Sequence, residues 1–271
     1  MSLSASSTPS TVFGVTAFLH GGWLTRLLDS LDTTIPTLIL VKQGAENPVG
    51  QEIDAFVAKW RCTPSPRGTS GTGSQQHSER WSPEYLYAPT AQLRCGHGTV
   101  HDLVLYNNKL NTGCSHAWNL VLRYAWALRA PFTVLANGDV FFLPGMLRGF
   151  LSFVEAQPEN THARDGEGSS SGSSSGGGGV YSALTSQGHE QPFSMFALSL
   201  ATVRLAGLFD ENIFPPYYED FEYAVRLNIL GINVTYAPRH LAMFVHGGTV
   251  VAEHWSGVKD SVAVSSEERL T

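Results

Sequence analysis

Residues 12–41 read VFGVTAFLHGGWLTRLLDSLDTTIPTLILV. The apolar spacing changes twice within them. Residues 12–19 are a near-continuous apolar run, which predicts a strand buried on both faces. In residues 23–31, Leu24, Leu27, Leu28 and Leu31 recur at helical spacing, which predicts a short amphipathic helix. Pro36 marks a turn, and residues 37–41 (TLILV) form a second buried strand. Next, Ile53, Phe56, Val57 and Trp60 give residues 51–60 a helical period. This β-α-β-α alternation is the pattern of a parallel sheet covered by helices.

Working outward, the same style continues. Residues 103–106, 132–135, 193–200, 232–236 and 241–246 are predicted strands. Residues 115–128, 144–154 and 219–230 are predicted helices, the last closed by Gly231. Two stretches break the pattern. Residues 63–84 are rich in Ser, Gly, Pro, Thr and Gln and read as a long loop. Residues 161–179 end in a Ser/Gly run that has no apolar surface to bury, and they read as a disordered insertion. The first ten residues and residues 261–271 are polar ends.

Totals narrow the function. The chain has 271 residues, and 42% of them are hydrophobic, enough for a sizeable core. Its 17 basic and 23 acidic residues leave a net charge of −6, which argues against a nucleic-acid binder. Cys62, Cys95 and Cys114 form no CxxC pair, so the expectation is reduced thiols in an intracellular compartment. No basic leader and no membrane-spanning apolar run is seen, and a cytoplasmic location is expected. A sequon at Asn233-Val234-Thr235 falls in a predicted strand, which speaks against its use.

Two segments carry candidate chemistry. Asn137-Gly138-Asp139 follows the strand at 132–135, and ligands of open α/β sheets bind at the carboxyl ends of strands. Asp139 there suits Mg²⁺ or Mn²⁺. The competing reading is a plain turn, since Asn-Gly is turn chemistry. The second segment is PPYYEDFEY, residues 215–223. Acids at a helix start are stabilised by the helix dipole. Glu222 and Arg226 have the i,i+4 spacing of a helix-surface ion pair. That leaves Glu219 or Asp220, beside Tyr217 and Tyr218, as a general base or only a capping carboxylate. His246 ends a strand-like run, whereas His97, His101, His116, His189 and His254 show no ligand spacing. The chain contains no P-loop, Rossmann fingerprint or G-x-S-x-G elbow.

Four stretches resemble the nucleotide-sugar glycosyltransferases of family 2, especially the rhamnosyltransferase-like branch. They are the opening strand and helix, NTGCSHAWN (111–119), ANGDVFFLPG (136–145), and residues 207–238 with the trailing His246-Gly247-Gly248. The resemblance implies a single GT-A domain over residues 11–260, with a mixed, mainly parallel sheet and helices on both faces. It implies an inverting hexosyl- or rhamnosyltransferase-like enzyme that moves a sugar from a nucleotide diphosphate to an acceptor hydroxyl. Asp220, in an acidic pair with Glu219, would be the catalytic base. Asn111, Gly113, Asn137 and Asp139 would line the donor site, and Asp139 and His246 would hold Mn²⁺ or Mg²⁺. The acceptor would be a glycan, lipid or protein.

The chain departs from the family after the second strand. An acidic V-D-(N/D)-G-S is usual there, and this chain has Val41-Lys42-Gln43-Gly44-Ala45. The lost acid keeps a catalytically degenerate sugar or nucleotide-sugar binding protein in play, and the Glu219-Asp220 pair argues against it. A sugar nucleotidyltransferase would need a Gly-rich basic phosphate loop, for which His20-Gly21-Gly22 with Arg26 is a poor substitute.

Overall fold

The protein was analysed as a computed structural model, which describes residues 11–18, 22–44, 48–65, 89–157, 178–190, 192–213 and 218–246. The readings made for residues 1–10, 66–84, 161–177 and 261–271, and for His20, Gly21, Tyr217, Gly247 and His254, lie outside those residues.

The chain opens with β1 (Val12–Ala17), α1 (Trp23–Asp29), β2 (Ile35–Gln43) and α2 (Val49–Lys59). Then come β3 (Cys62–Pro64), β4 (Ala91–Cys95), β5 (Val100–Asn108) and α3 (Cys114–Ala127). The middle holds β6 (Phe132–Asn137), β7 (Val140–Phe142), α4 (Met146–Glu155), β8 (Val180–Ser182) and β9 (Leu184–Thr185). The remainder is β10 (Met195–Ser199), α5 (Leu200–Ala206), α6 (Glu219–Ile229), β11 (Val234–Tyr236) and β12 (Met243–His246).

A nine-stranded mixed sheet has the order β11-β8-β10-β6-β1-β2-β5-β4-β3. Its centre, β6-β1-β2-β5, is parallel, with Val15 opposite both Leu40 and Ala136. β10 and β4 flank this block in antiparallel fashion. A small second sheet, β7-β12-β9, lies apart from it.

The central strands are buried on both faces, which is why they read as unbroken apolar runs. β2 alternates between two cores: Leu38 and Leu40 join one, Ile39 and Val41 the other. The first core takes Leu24, Leu27 and Leu28 of α1, Ile53 and Phe56 of α2, and Phe150 and Val154 of α4. The second takes Trp118, Val121 and Leu122 of α3, Val203 of α5, and Tyr223 and Leu227 of α6. Each such large side chain, fully buried, contributes about 1.5–3 kcal/mol.

Contact between α3 and β1 depends on a missing side chain. A Cβ at Gly14 would lie 2.3 Å from Cγ1 of Val121. The helix therefore rests directly on the strand backbone, which draws its first turn toward the ends of β1 and β6.

One sequence expectation fails. Cys62 and Cys95 are register partners of β3 and β4, and they form a disulfide rather than reduced thiols. Spacing rules look for nearby cysteines, whereas an antiparallel pairing closed through a long connection places distant ones side by side. The loop expected over residues 63–84 does not include its first residues, because Cys62–Pro64 is a strand. The sequence pattern also leaves out β7, β8 and β9, too short for a period to show, together with β4 and with α5, which is capped by Ser199 Oγ accepting from Thr202 N at 3.1 Å.

Gly14→Ala should lower stability by roughly 1–3 kcal/mol through overpacking, read as a urea midpoint. Gly14→Ala with Val121→Ala should recover part of that loss. A neutral Gly14→Ala would contradict the close approach.

Candidate functional site

The parallel strands β1, β2, β5 and β6 end together, and the residues singled out from sequence gather at those ends. After β6 the chain turns through Gly138 with almost no room, since a Cβ there would lie 2.9 Å from the Thr16 carbonyl oxygen. Asn137-Gly138-Asp139 is thus a turn at the carboxyl end of β6. The chain returns as β7, and β12 pairs antiparallel with it, setting His246 opposite Val140. That register brings His246 Nε2 to 3.5 Å from Asp139 Oδ1.

The N-terminal end of α3 faces the crevice at these strand ends. Cys114 Sγ lies 4.0 Å from Asn137 Oδ1. Burial pushes the Cys114 thiol well above its ordinary range, and the charges of Glu219, Asp220 and Asp139 push the same way, against a hydrogen bond with Thr16. The acidic pair divides: Glu219 is buried, and its Oε2 accepts from Tyr218 N at 3.1 Å, while Asp220 is half-exposed at the rim.

Asn111 and Gly113 form the approach to α3. Asn111 Oδ1 accepts from Gly113 N at 3.1 Å. Gln43, at the end of β2, holds this loop in place. Its Nε2 donates to the Gly113 carbonyl at 3.1 Å, and its Oε1 accepts from Thr112 N at 3.2 Å and Asn108 Nδ2 at 3.2 Å. The sequence shows the missing acid and Lys42 in this segment and gives Gln43 no evident role. Its place at the carboxyl end of a largely apolar strand is the available signal for Gln43. Lys42 is also buried, and its Nζ donates to Asn107 Oδ1 at 3.3 Å.

A second polar assembly positions α6. Asn119 is buried in α3, and its amide mimics a strand neighbour: Nδ2 donates to the Phe209 carbonyl and Oδ1 accepts from Phe209 N, both at 2.9 Å. The same Nδ2 donates to Glu211 Oε1 at 2.8 Å. Glu211 also pairs with His116 Nδ1 at 2.9 Å and Arg123 Nη2 at 3.3 Å. Phe209 stacks on Tyr223 of α6, with ring centroids 4.0 Å apart. The Glu222–Arg226 pair read from sequence is present, and Arg226 does more than pair. Its Nη1 donates to the carbonyls of Ala206 at 2.8 Å and Leu208 at 2.6 Å. His116 shows no ligand spacing in the sequence because its partner, Glu211, lies far along the chain.

Among the described residues, no group of three or more His, Cys, Asp or Glu is arranged to hold a metal ion alone. Asp139 and His246 offer one carboxylate and one imidazole. Hard divalent ions such as Mg²⁺ are commonly bound by one or two carboxylates, with waters and substrate phosphates completing the shell. The pair fits such a shared site.

The hydrogen bond with His116 holds the Glu211 carboxyl down at about 2, against the opposing effect of burial and with help from Asn119 and Arg123. A carboxyl lowered on folding stabilises the protein above its unfolded value, ordinarily 4.5, and that stability is lost as pH falls toward about 2. Urea unfolding should therefore show Glu211→Gln less stable than the wild type at pH 7, with the gap closing between pH 4.5 and 2. Parallel curves over that window would remove Glu211 as an anchor.

No family model and no curated protein matches the sequence. Solved structures do match by shape. The mannosyltransferase PcManGT from Pyrobaculum calidifontis, in complex with GDP-Man and Mn²⁺, aligns with a TM-score of 0.54 at 12% identity, over 89% of this chain and 57% of that one. TarS of S. aureus, as its 1–349 fragment, aligns at 0.51 and 12% identity, over 94% and 65%. GalNAc-T7 with UDP, GalNAc and Mn²⁺ aligns at 0.52 and 10% identity, over 89% and 44%. The chain spans about two thirds or less of the length of each. A large mixed sheet with helices on both faces, shared with these enzymes, gives this protein the GT-A fold of glycosyltransferases.

Proposed function

We propose that the protein is an inverting glycosyltransferase that moves a hexosyl or rhamnosyl group from a nucleotide diphosphate to an acceptor hydroxyl on a glycan, lipid or protein. The observation that carries this reading is the placement of Asp139 just after β6, with His246 Nε2 3.5 Å away and Asn137 Oδ1 4.0 Å from Cys114 Sγ of α3, at the carboxyl ends of the parallel strands. The complexes of PcManGT with GDP-Man and of GalNAc-T7 with UDP support the donor class.

In this reading Asn111, Gly113, Asn137 and Asp139 line the donor site. A donor diphosphate is strongly anionic, and so is the crevice. Asp139 and His246 would hold a Mn²⁺ or Mg²⁺ ion, which when bound neutralises charge on the leaving diphosphate. Asp220, at the rim, takes the proton of the acceptor hydroxyl. That oxygen bonds to the anomeric carbon from the face opposite the diphosphate. The bond to the diphosphate oxygen breaks, and the electron pair leaves with it. Glu219 is buried behind Asp220 and acts as its acidic neighbour.

A second reading is a binding protein of the same fold without turnover. The buried Lys42, in place of an acid at the end of β2, favours it. Turnover against a donor panel separates the two.

Asp220→Asn should lower the transfer rate about 10²–10⁴-fold, the usual worth of a general base, with donor affinity nearly unchanged by calorimetry. Full turnover in that variant would refute the base assignment. Asp139→Ala should abolish the Mn²⁺ dependence of donor binding, and an affinity identical with and without Mn²⁺ in the wild type would refute the metal role.

A further inference from the structure

Two aromatic side chains stand in water at the start of α6. Tyr218 is the residue from which the helix begins, and Phe221 lies three positions on, so the two are neighbours on the helix surface. They are 70% and 67% exposed, whereas Tyr223 and Leu227, on the inward face, are buried. Aromatic rings gain much from burial, so a pair left exposed on a folded domain marks a surface that takes a partner. Asp220, the candidate base, lies between them in the chain.

The carboxylates around these rings are largely occupied. Glu219 is buried, and its Oε2 accepts from Tyr218 N at 3.1 Å. Glu222 pairs with Arg226. Asp220 Oδ1 accepts from Phe221 N at 2.8 Å. Among the described residues, Asp220 Oδ2 is the oxygen left beside the rings. The surface therefore offers two flat apolar faces and one open carboxylate oxygen, not a block of negative charge. A cationic peptide is selected by unpaired acids, which are lacking here. A hydrocarbon chain laid on the rings would cover the carboxylate and leave it without a partner. A saccharide matches both parts, because its C–H faces are apolar and its hydroxyls donate to a carboxylate.

We infer that Tyr218 and Phe221 are a stacking platform for a neutral saccharide, one of whose hydroxyls donates to Asp220 Oδ2. The acceptor is then a glycan, an assignment that rests on the transferase reading with Asp220 as base. The platform also decides which hydroxyl reacts. The one that meets Oδ2 gives its proton there as its oxygen bonds to the anomeric carbon and the diphosphate leaves with the electron pair. Val225 and Ile229 are exposed farther along α6 and carry no ring, so they lie outside the platform.

Saturation-transfer NMR on the full chain, with cellobiose, maltose and chitobiose as probes and no nucleotide present, tests the platform. C–H protons of at least one probe should receive saturation from the protein. Tyr218→Ala with Phe221→Ala should weaken that probe's affinity roughly tenfold, about the size of one good aromatic contact, at an unchanged thermal midpoint. Tyr218→Phe with Phe221→Tyr, which keeps both rings, should retain the binding, and so should Val225→Ser with Ile229→Ser. Absence of signal from all three probes, or a signal indifferent to the alanine pair, would overturn the inference. So would binding of oligolysine or of phosphatidylcholine vesicles, in place of the saccharides, that the alanine pair abolishes. Calorimetry of the wild type with nucleotide diphosphates and Mn²⁺ keeps the two readings apart. Saccharide binding without nucleotide binding leaves the platform standing and removes the transferase, and nucleotide binding without saccharide binding removes the platform alone.

Discussion

Asn119 is the hinge pin of this molecule. Its side-chain amide bonds both the N–H and the carbonyl of Phe209, and it reaches Glu211 as well. A buried amide with its partners in place is stabilising, whereas the same amide left unpaired costs about 1–3 kcal/mol. The second core therefore closes in one arrangement, with α3 fastened to the segment that leads into α6. Phe209 in turn stacks on Tyr223, and Arg226 ties α6 to the end of α5. Glu219 and Asp220 are carried to the crevice by this chain of contacts.

The crevice concentrates like charge. Burial and the charges of Glu219, Asp220 and Asp139 all raise the Cys114 thiol, and Asp139 has the His246 imidazole beside it. Gathering carboxylates costs stability unless a cation or a proton offsets them. Lys42 and Gln43 modify the theme at the end of β2. The first adds a buried cation, and the second replaces a charge with a set of neutral hydrogen bonds.

Much of the fold was legible because its strands are buried on both faces and its helices on one. Periodicity registers burial directly, so Val12–Ala17 and Ile35–Gln43 were visible, as was the inner face of α3. Edge elements were not. Strands of two or three residues, such as β7 and β9, carry too little pattern, and their pairing decides what they are. The Cys62–Cys95 bond was missed for the same reason: nothing local announces that β3 will lie against β4.

The sequence by itself determined the alternation of strands and helices, the turn at Asn137-Gly138-Asp139, and the acidic start of α6. These follow from local preferences: apolar spacing, turn chemistry and the helix dipole. Only the tertiary structure decided that Asp139 meets His246, that Glu211 meets His116, and that Gln43 holds Gly113. It also decided that Glu219 is buried while Asp220 stands at the rim. Each depends on the register of β12 against β7 or on the docking of α3 and α6. Those are non-local choices, made when whole faces bury together, and no short window of sequence contains them.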